Sequence, residues 1–123
     1  MASVLLVDDE QETLEAIQPF LELKGFTVWT AAQGDRAISL IQQHHPNVVL
    51  LDVNLQGSSV SGLEVLKASK EQSPATKVYL VSGYDTDEYK AKATPLGADG
   101  FLEKPLALDK LLEFLRSLDP QKP

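Results

Sequence analysis

Five polar side chains with the chemistry to bind a metal ion and a phosphoryl group stand at or near the ends of short apolar runs in this sequence. They are Asp8, Asp9, Asp52, Ser82 and Lys104. Three carboxylates brought together repel one another, and a hard divalent cation with oxygen ligands relieves that repulsion. Mg²⁺ suits such a set, because it binds one or two carboxylates and keeps water and phosphate oxygens as its other ligands. If folding gathers these residues, they predict a site for Mg²⁺ (or Mn²⁺) and a phosphoryl group.

The same residues suit phosphoryl transfer. A carboxylate can act as a nucleophile and form an acyl phosphate. The metal ion and Lys104 would stabilise the charge spread over the phosphoryl oxygens, which is the main task of catalysis in this reaction. The Ser82 hydroxyl can donate to one of those oxygens, and Gly83 leaves room for the group. Taken singly, each residue has an ordinary interpretation as a helix cap, a turn or a solvated lysine, so the prediction depends on the joint pattern.

Five apolar runs of strand length alternate with helical patterns. The runs are Val4-Leu5-Leu6-Val7, Phe26-Thr27-Val28-Trp29, Val48-Val49-Leu50-Leu51, Val78-Tyr79-Leu80-Val81 and the weaker Gly100-Phe101-Leu102. Three of them show no polar alternation, which indicates strands buried on both faces. Between the runs, apolar residues recur at helical spacing, and a less regular fourth helix is predicted from Tyr84 to Leu96. Gly25 and Gly97 stand where a left-handed residue ends a helix.

This order of elements predicts an α/β fold with a five-stranded parallel sheet, strand order 2-1-3-4-5, doubly wound with five helices. In open parallel sheets, ligands bind at the carboxyl ends of the strands, near the change in strand order. The first, third, fourth and fifth strands would be consecutive neighbours there. We therefore expect the acid pair, Asp52, Ser82 and Lys104 to converge on one mouth of the sheet.

Length and composition restrict the class of protein further. A chain of 123 residues with 43% hydrophobic content suits one packed domain, which we place at 1–118, with 119–123 as a tail or the start of a linker. The absence of cysteine excludes disulfides and thiolate metal sites and fits a reducing compartment, so we expect a cytoplasmic location. A net charge of -7 disfavours direct nucleic-acid binding. No run has the pattern of a signal peptide or the length of a membrane span, so no membrane insertion is expected.

Four segments, in this order, resemble the receiver domain of two-component response regulators. They are Val4-Leu5-Leu6-Val7-Asp8-Asp9-Glu10, Val48-Val49-Leu50-Leu51-Asp52, Val81-Ser82-Gly83 and Gly97-Ala98-Asp99-Gly100-Phe101-Leu102-Glu103-Lys104-Pro105. The resemblance covers about residues 3 to 117 and implies the flavodoxin-like fold of that family. One segment departs from the family pattern, because Gln56 stands where the loop after the phosphoacceptor usually has proline and the loop looks longer than usual. That departure bears on the lifetime of a phosphoryl group.

The resemblance implies a role for each residue of the predicted site. Asp52 would be the phosphoacceptor, and Lys104 would contact the phosphoryl group. Asp9 would bind the metal ion directly and Asp8 would bind it through water. Asn54 would contribute its backbone carbonyl to the same ion.

The resemblance also implies a conformational switch. Phosphorylation adds about -1.5 to -2 charges to the acceptor. Ser82 would be drawn toward the new oxygens as the switch hydroxyl, and Phe101, the switch aromatic, would turn into the vacated space. The surface of the fourth helix, fifth strand and fifth helix would then change by a population shift between two packings. The bond between Lys104 and Pro105 would be a cis peptide, which an X-Pro bond adopts at small cost.

The expected function is that of a signalling switch. A histidine kinase or a histidine phosphotransfer protein would donate the phosphoryl group, and a downstream protein would respond to the switch. The domain would itself assist the transfer and slowly hydrolyse its own acyl phosphate. The alternative is a degenerate receiver that acts as a constitutive protein-interaction module, in which the acidic residues are relics.

Overall fold

Five β-strands and five α-helices alternate along the chain in this computed structural model, which describes residues 3–52, 55, 60–82, 87–104 and 106–118. The strands are β1 (Ser3–Val7), β2 (Thr27–Ala31), β3 (Val48–Asp52), β4 (Lys77–Ser82) and β5 (Gly100–Glu103). The helices are α1 (Gln11–Leu23), α2 (Gly34–His44), α3 (Gly62–Gln72), α4 (Asp87–Ala93) and α5 (Leu108–Ser117). Among the described residues, no helix combines the length and the apolar character needed to span a bilayer.

The strands form one parallel sheet in the order β2-β1-β3-β4-β5. The predicted fold class and strand order are therefore confirmed. β1 and β3 lie in the middle of this order, so the chain changes direction across the sheet at their carboxyl ends. That change in strand order is where a parallel sheet leaves an opening for a ligand.

The core consists of two apolar clusters, one on each face of the sheet. Alternate residues of a strand point to opposite faces. Leu5 and Leu80 belong to the cluster covered by α2, α3 and α4, whereas Leu6 and Val81 belong to the cluster covered by α1 and α5. Both faces of the central strands are covered, which explains why their sequences show no polar alternation.

The ends of the elements follow local chain chemistry. Gly25 and Gly97 have φ values of 96° and 99°, in the left-handed region that L side chains rarely adopt, and both follow helical segments as predicted. The predicted fourth helix is shorter among the described residues: α4 ends at Ala93, and Thr94–Leu96 continues as a 3-10 helix that contains Pro95. Proline lacks the N–H that would continue the α-helical ladder, so the last turn tightens there. The predicted start at Tyr84 lies outside the described residues.

Candidate functional site

The carboxyl ends of four neighbouring strands meet at one edge of the sheet. The register pairs Val7 with Leu51, Asp52 with Val81, and Ser82 with Glu103. Asp52 and Ser82 are the last residues of their strands, while Asp8 and Lys104 follow β1 and β5 directly. The parallel register therefore brings the predicted site residues to the same edge.

Three carboxylates form a cluster at this edge. One oxygen from each of Asp8, Asp9 and Asp52 lies within 4.8 Å of the others. Asp8 and Asp52 are buried, with 7% and 4% of their surface exposed, and Asp9 is half-buried. Carboxylates that are close together and shielded from water repel one another strongly. Their oxygen atoms are the ligands that hard divalent cations prefer. The cluster thus suits Mg²⁺ by both its charge and its donor atoms.

The ammonium of Lys104 is shared among three acidic side chains. Its Nζ lies 3.0 Å from Asp52 Oδ2, 3.4 Å from Asp8 Oδ2 and 3.5 Å from Glu10 Oε1. The backbone N–H of Lys104 donates to the carbonyl of Ser82 over 2.7 Å and so attaches this residue to the end of β4. A fixed cation next to the carboxylate of Asp52 is placed to stabilise negative charge that arrives there.

Hydrogen bonds hold Asp8 in place although its environment disfavours its charge. The backbone N–H of Glu10 donates to Asp8 Oδ1 over 2.8 Å, and the N–H of Asp8 donates to the carbonyl of Ala31 over 3.1 Å. Burial, with a smaller contribution from the charge of Asp52, raises the pKa of Asp8 above its ordinary value despite the Glu10 N–H and Lys104. Such a carboxyl gains more from a nearby cation than an exposed one does.

Lys104 stays protonated in this environment. Burial alone lowers the pKa of its ammonium, but the hydrogen bond and charge of Asp52, together with Asp8, outweigh burial and raise the pKa above the ordinary lysine value. The positive charge is therefore present at neutral pH, where a phosphoryl group would need it.

Ser82 and Phe101 lie on the same face of the sheet. Phe101 pairs with Leu80 in the register, and Ser82 follows Leu80 by two residues, so the side chains of all three point to the α4 side. Ser82 is 7% exposed, whereas Phe101 is half-buried and packs against the core cluster on that face. The hydroxyl at the site and the aromatic ring beside α4 therefore share one face of the sheet. The predicted contributions of Asn54 and Pro105, and the room left by Gly83, lie outside the described residues.

One residue at this edge had no predicted role. Glu10 follows the acid pair directly, and its carboxylate contacts Lys104 although the side chain is 65% exposed. Its position in the segment that ends in Asp8-Asp9-Glu10 was the available signal, but an exposed glutamate is ordinarily a solvated charge.

Comparison with known proteins agrees with this geometry. The model of the response regulator receiver domain matches residues 4–116. The nitrogen assimilation regulatory protein NtrX of Azorhizobium caulinodans is 37% identical over 109 residues, which cover 89% of this chain and 24% of that protein. The crystal structure of the receiver domain of NtrX from Brucella abortus superposes with a TM-score of 0.83 at 34% identity, covering 94% of this chain and 96% of that one.

A second solved structure supports the same family assignment. The greater length of the NtrX relative restricts that assignment to one domain. A CheY-like receiver domain protein from Methanospirillum hungatei has a TM-score of 0.88 at 30% identity and covers 98% of this chain and 96% of its own. The chain spans about a quarter of the length of the NtrX relative. The match therefore concerns one domain that such longer regulators also contain, and by its sequence and its fold this chain belongs to the family of response regulator receiver domains.

Proposed function

We propose that this domain is a signalling switch that is phosphorylated on Asp52 in a Mg²⁺-dependent reaction. The phosphoryl donor would be a phosphohistidine of a histidine kinase or of a histidine phosphotransfer protein, in the cytoplasm. The observation that supports this most is the position of Asp52: it is 4% exposed, belongs to a cluster of three carboxylates and lies 3.0 Å from the ammonium of Lys104. The domain would extend over 1–118, with 119–123 as tail or linker.

The donor set fits a hard divalent cation. Asp8, Asp9 and Asp52 offer oxygen atoms within 4.8 Å of one another, and the backbone carbonyl of Asn54 is proposed as a further ligand. When bound, Mg²⁺ would neutralise part of the charge of the carboxylates and of the incoming phosphoryl oxygens. Burial, and to a smaller extent the charge of Asp52, raises the pKa of Asp8, and a bound cation would favour the ionised form of this carboxyl.

The chemical step is a nucleophilic substitution at phosphorus, in which a carboxylate oxygen replaces an imidazole nitrogen. A carboxylate oxygen of Asp52 attacks the phosphorus atom, the P–N bond of the phosphohistidine breaks, and its electron pair leaves on the imidazole nitrogen. Lys104 and the hydroxyl of Ser82 then face the transferred oxygens and stabilise their charge. Attack of water on the same phosphorus would later release phosphate and regenerate the carboxylate.

The switch would spread from Ser82 to the α4–β5–α5 surface. The side chains of Ser82 and Phe101 lie on one face of the sheet. Movement of the Ser82 hydroxyl toward the phosphoryl group would therefore open space on the side where Phe101 packs. Phe101 turning into that space would reshape the surface that a downstream protein contacts. A cis bond before Pro105 is proposed to hold Lys104 at the site.

A groove next to Lys104 supports the proposed protein partner. A cavity of about 620 Å³ opens between α1 and the start of α5, and its apolar lining includes Ala16, Ile17, Leu106 and Leu108. Lys104 and Glu10, which contact each other at the site, also line this groove. A helix that carries a phosphohistidine can bury apolar side chains in such a groove while it presents its imidazole to Asp52.

Phosphorylation by a small donor tests the proposal without knowledge of the partner. Incubation with acetyl phosphate and Mg²⁺ should add one phosphoryl group, measured by intact mass, and omission of Mg²⁺ should prevent most of the gain. Asp52→Ala should abolish the modification, because no other carboxylate of the cluster is expected to act as acceptor. Asp109→Ala, at an exposed aspartate of α5, is the matched control and should be modified like the wild type.

Two outcomes would count against the proposal. Modification of the Asp52→Ala protein at the wild-type level would show that another residue is the acceptor. A wild type that gains no phosphoryl group from acetyl phosphate or from a phosphorylated histidine donor would favour the constitutive interaction module instead.

A further inference from the structure

We propose that Lys90 is a positioning residue for the switch aromatic, because its ammonium over the ring of Phe101 stabilises the outward position of that ring. Lys90 Nζ lies 5.7 Å from the ring centroid. Phe101 is half-buried, packed on one side against the core, whereas Lys90 is exposed on α4. The inference deepens the proposed function, since the inward position of Phe101 matters only if phosphorylation of Asp52 drives the switch.

The geometry makes this contact specific for one position of the ring. A cation is attracted to the face of an aromatic ring when it lies within about 6 Å of the centroid. The contact at 5.7 Å is close to that limit, so a ring that moves toward the core leaves the range of attraction unless the lysine follows. Lys90 belongs to the last turn of a seven-residue helix, so its backbone cannot follow unless α4 moves as well.

The contact links the two elements whose rearrangement is proposed for the switch. Lys90 lies on α4 and Phe101 on β5, and between them the chain passes through the 3-10 helix Thr94–Leu96. A ligand or modification shifts an equilibrium only by its differential interaction with the two states. A Lys90 contact that is lost when the ring turns inward would act against the shift that phosphorylation favours.

The size of the effect follows from the strength of such contacts at exposed sites. A cation–π contact there changes an equilibrium by roughly two- to fivefold. Removing the charge of Lys90 should therefore raise the population of inward Phe101 by about that factor in the unphosphorylated domain, as long as the inward state is the minor one. The rate of phosphorylation should rise by a similar factor if the inward state is the reactive one.

The first test measures the ring itself, without metal ion or phosphoryl donor. The domain contains four phenylalanines, and labelling with 4-fluorophenylalanine gives a fluorine resonance for each, with Phe101 assigned through Phe101→Leu. Lys90→Met keeps an unbranched side chain one atom shorter and removes its charge. It should shift the Phe101 resonance and reduce the shift difference between H₂O and D₂O, which reports ring exposure.

Two further variants separate this effect from a general loss of charge. Lys90→Arg retains a cation over the ring. The Phe101 fluorine resonance and its shift difference between H₂O and D₂O should therefore stay near those of the wild type. Lys67→Met removes the same charge from an exposed position on α3 and should leave the Phe101 resonance unchanged. An unchanged resonance and solvent shift in Lys90→Met would overturn the inference.

The second test measures phosphorylation from acetyl phosphate with Mg²⁺. Lys90→Met should be modified roughly two- to fivefold faster than the wild type, and Lys90→Arg and Lys67→Met at the wild-type rate. If the wild type is modified on Asp52 and Lys90→Met changes neither the Phe101 resonance nor the rate, the inference is wrong while the proposed function stands. If the wild type takes no phosphoryl group, the proposed function fails, and the fluorine spectra still decide whether Lys90 positions the ring.

Discussion

The two edges of the sheet combine aspartate and lysine in opposite proportions. At the carboxyl edge, one ammonium, that of Lys104, is shared by the carboxylates of Asp8, Glu10 and Asp52. At the amino edge, one carboxylate, that of Asp99, is shared by two lysines. Lys70 Nζ lies 2.6 Å from Asp99 Oδ2, and Lys77 Nζ lies 3.9 Å from Asp99 Oδ1.

Backbone groups strengthen this difference. Asp99 Oδ2 also accepts from the N–H of Val78 over 2.8 Å, and the N–H of Asp99 donates to the carbonyl of Val78 over 2.8 Å, so this aspartate attaches the start of β5 to β4. Lys70 donates in addition to the carbonyl of Thr76 over 2.9 Å. Among the described residues, the aspartate at the amino edge is paired with lysines of the fold, whereas at the carboxyl edge the acidic side chains of the cluster outnumber the lysine that contacts them. An aspartate–lysine contact therefore does not indicate a functional site by itself. The relative number of acidic and basic side chains around the contact has to be considered as well.

The comparison predicts its largest effect at the amino edge. Asp99→Asn should lower the free energy of unfolding by about 2 kcal/mol, because hydrogen bonds to a charged group typically contribute that much and Asn carries no charge. Urea unfolding measures the change. Glu113→Gln, at an exposed position on α5, is the matched control and should change the value little. Equal losses in the two variants would contradict the structural role of Asp99, and phosphorylation of Asp52 should be unaffected in both.

The second prediction concerns the opposite edge. Mg²⁺ at about ten times its dissociation constant should raise the free energy of unfolding by about 1.4 kcal/mol, since the ion binds the folded cluster and not the separated residues. Asp9→Asn should lose most of this gain, whereas Asp99→Asn should keep it. The control is a sodium chloride buffer of equal ionic strength, and the dissociation constant comes from calorimetry. A gain of the same size in Asp9→Asn would place the ion elsewhere.

The strands and most of the site were predictable because the polar residues of the predicted site stand at or near the ends of apolar runs. Asp8 and Asp9 follow β1, Asp52 is the last residue of β3, and the parallel order brings the ends of these strands together by geometry alone. β2 was less well predicted: its apolar run begins at Phe26, but the strand extends over Thr27–Ala31. Pairing of Ala31 with Val7 extends it, and such tertiary pairing overrides the weak strand propensity of alanine.

Contacts between distant side chains were not predictable in the same way. Lys70 and Asp99 are separated by 29 residues, and nothing in either segment alone indicates their pairing. Trp29 and His44 stack with ring centroids 4.3 Å apart, although His44 reads in sequence only as a residue near a helix end. Such pairs depend on the relative placement of a helix and a strand, which the local pattern of apolar residues does not determine.

The last prediction is smaller and has the opposite sign to the first. Asp8→Asn should raise the free energy of unfolding by about 1 kcal/mol in metal-free buffer, a gain typical of relieving a functional site of unfavourable charge. Asn keeps an oxygen that accepts from the N–H of Glu10, and it removes a buried charge whose pKa is raised by burial and by Asp52. A carboxyl with a raised pKa in the folded state destabilises the fold only where it is ionised, so the gain should disappear as the pH falls through that pKa.

Measurement of the free energy of unfolding from neutral to acidic pH, with a chelator present, tests both the sign and the pH dependence of the gain. A loss of stability in Asp8→Asn at neutral pH would mean that Lys104 already balances the acidic cluster, and the contrast between the two edges of the sheet would not hold.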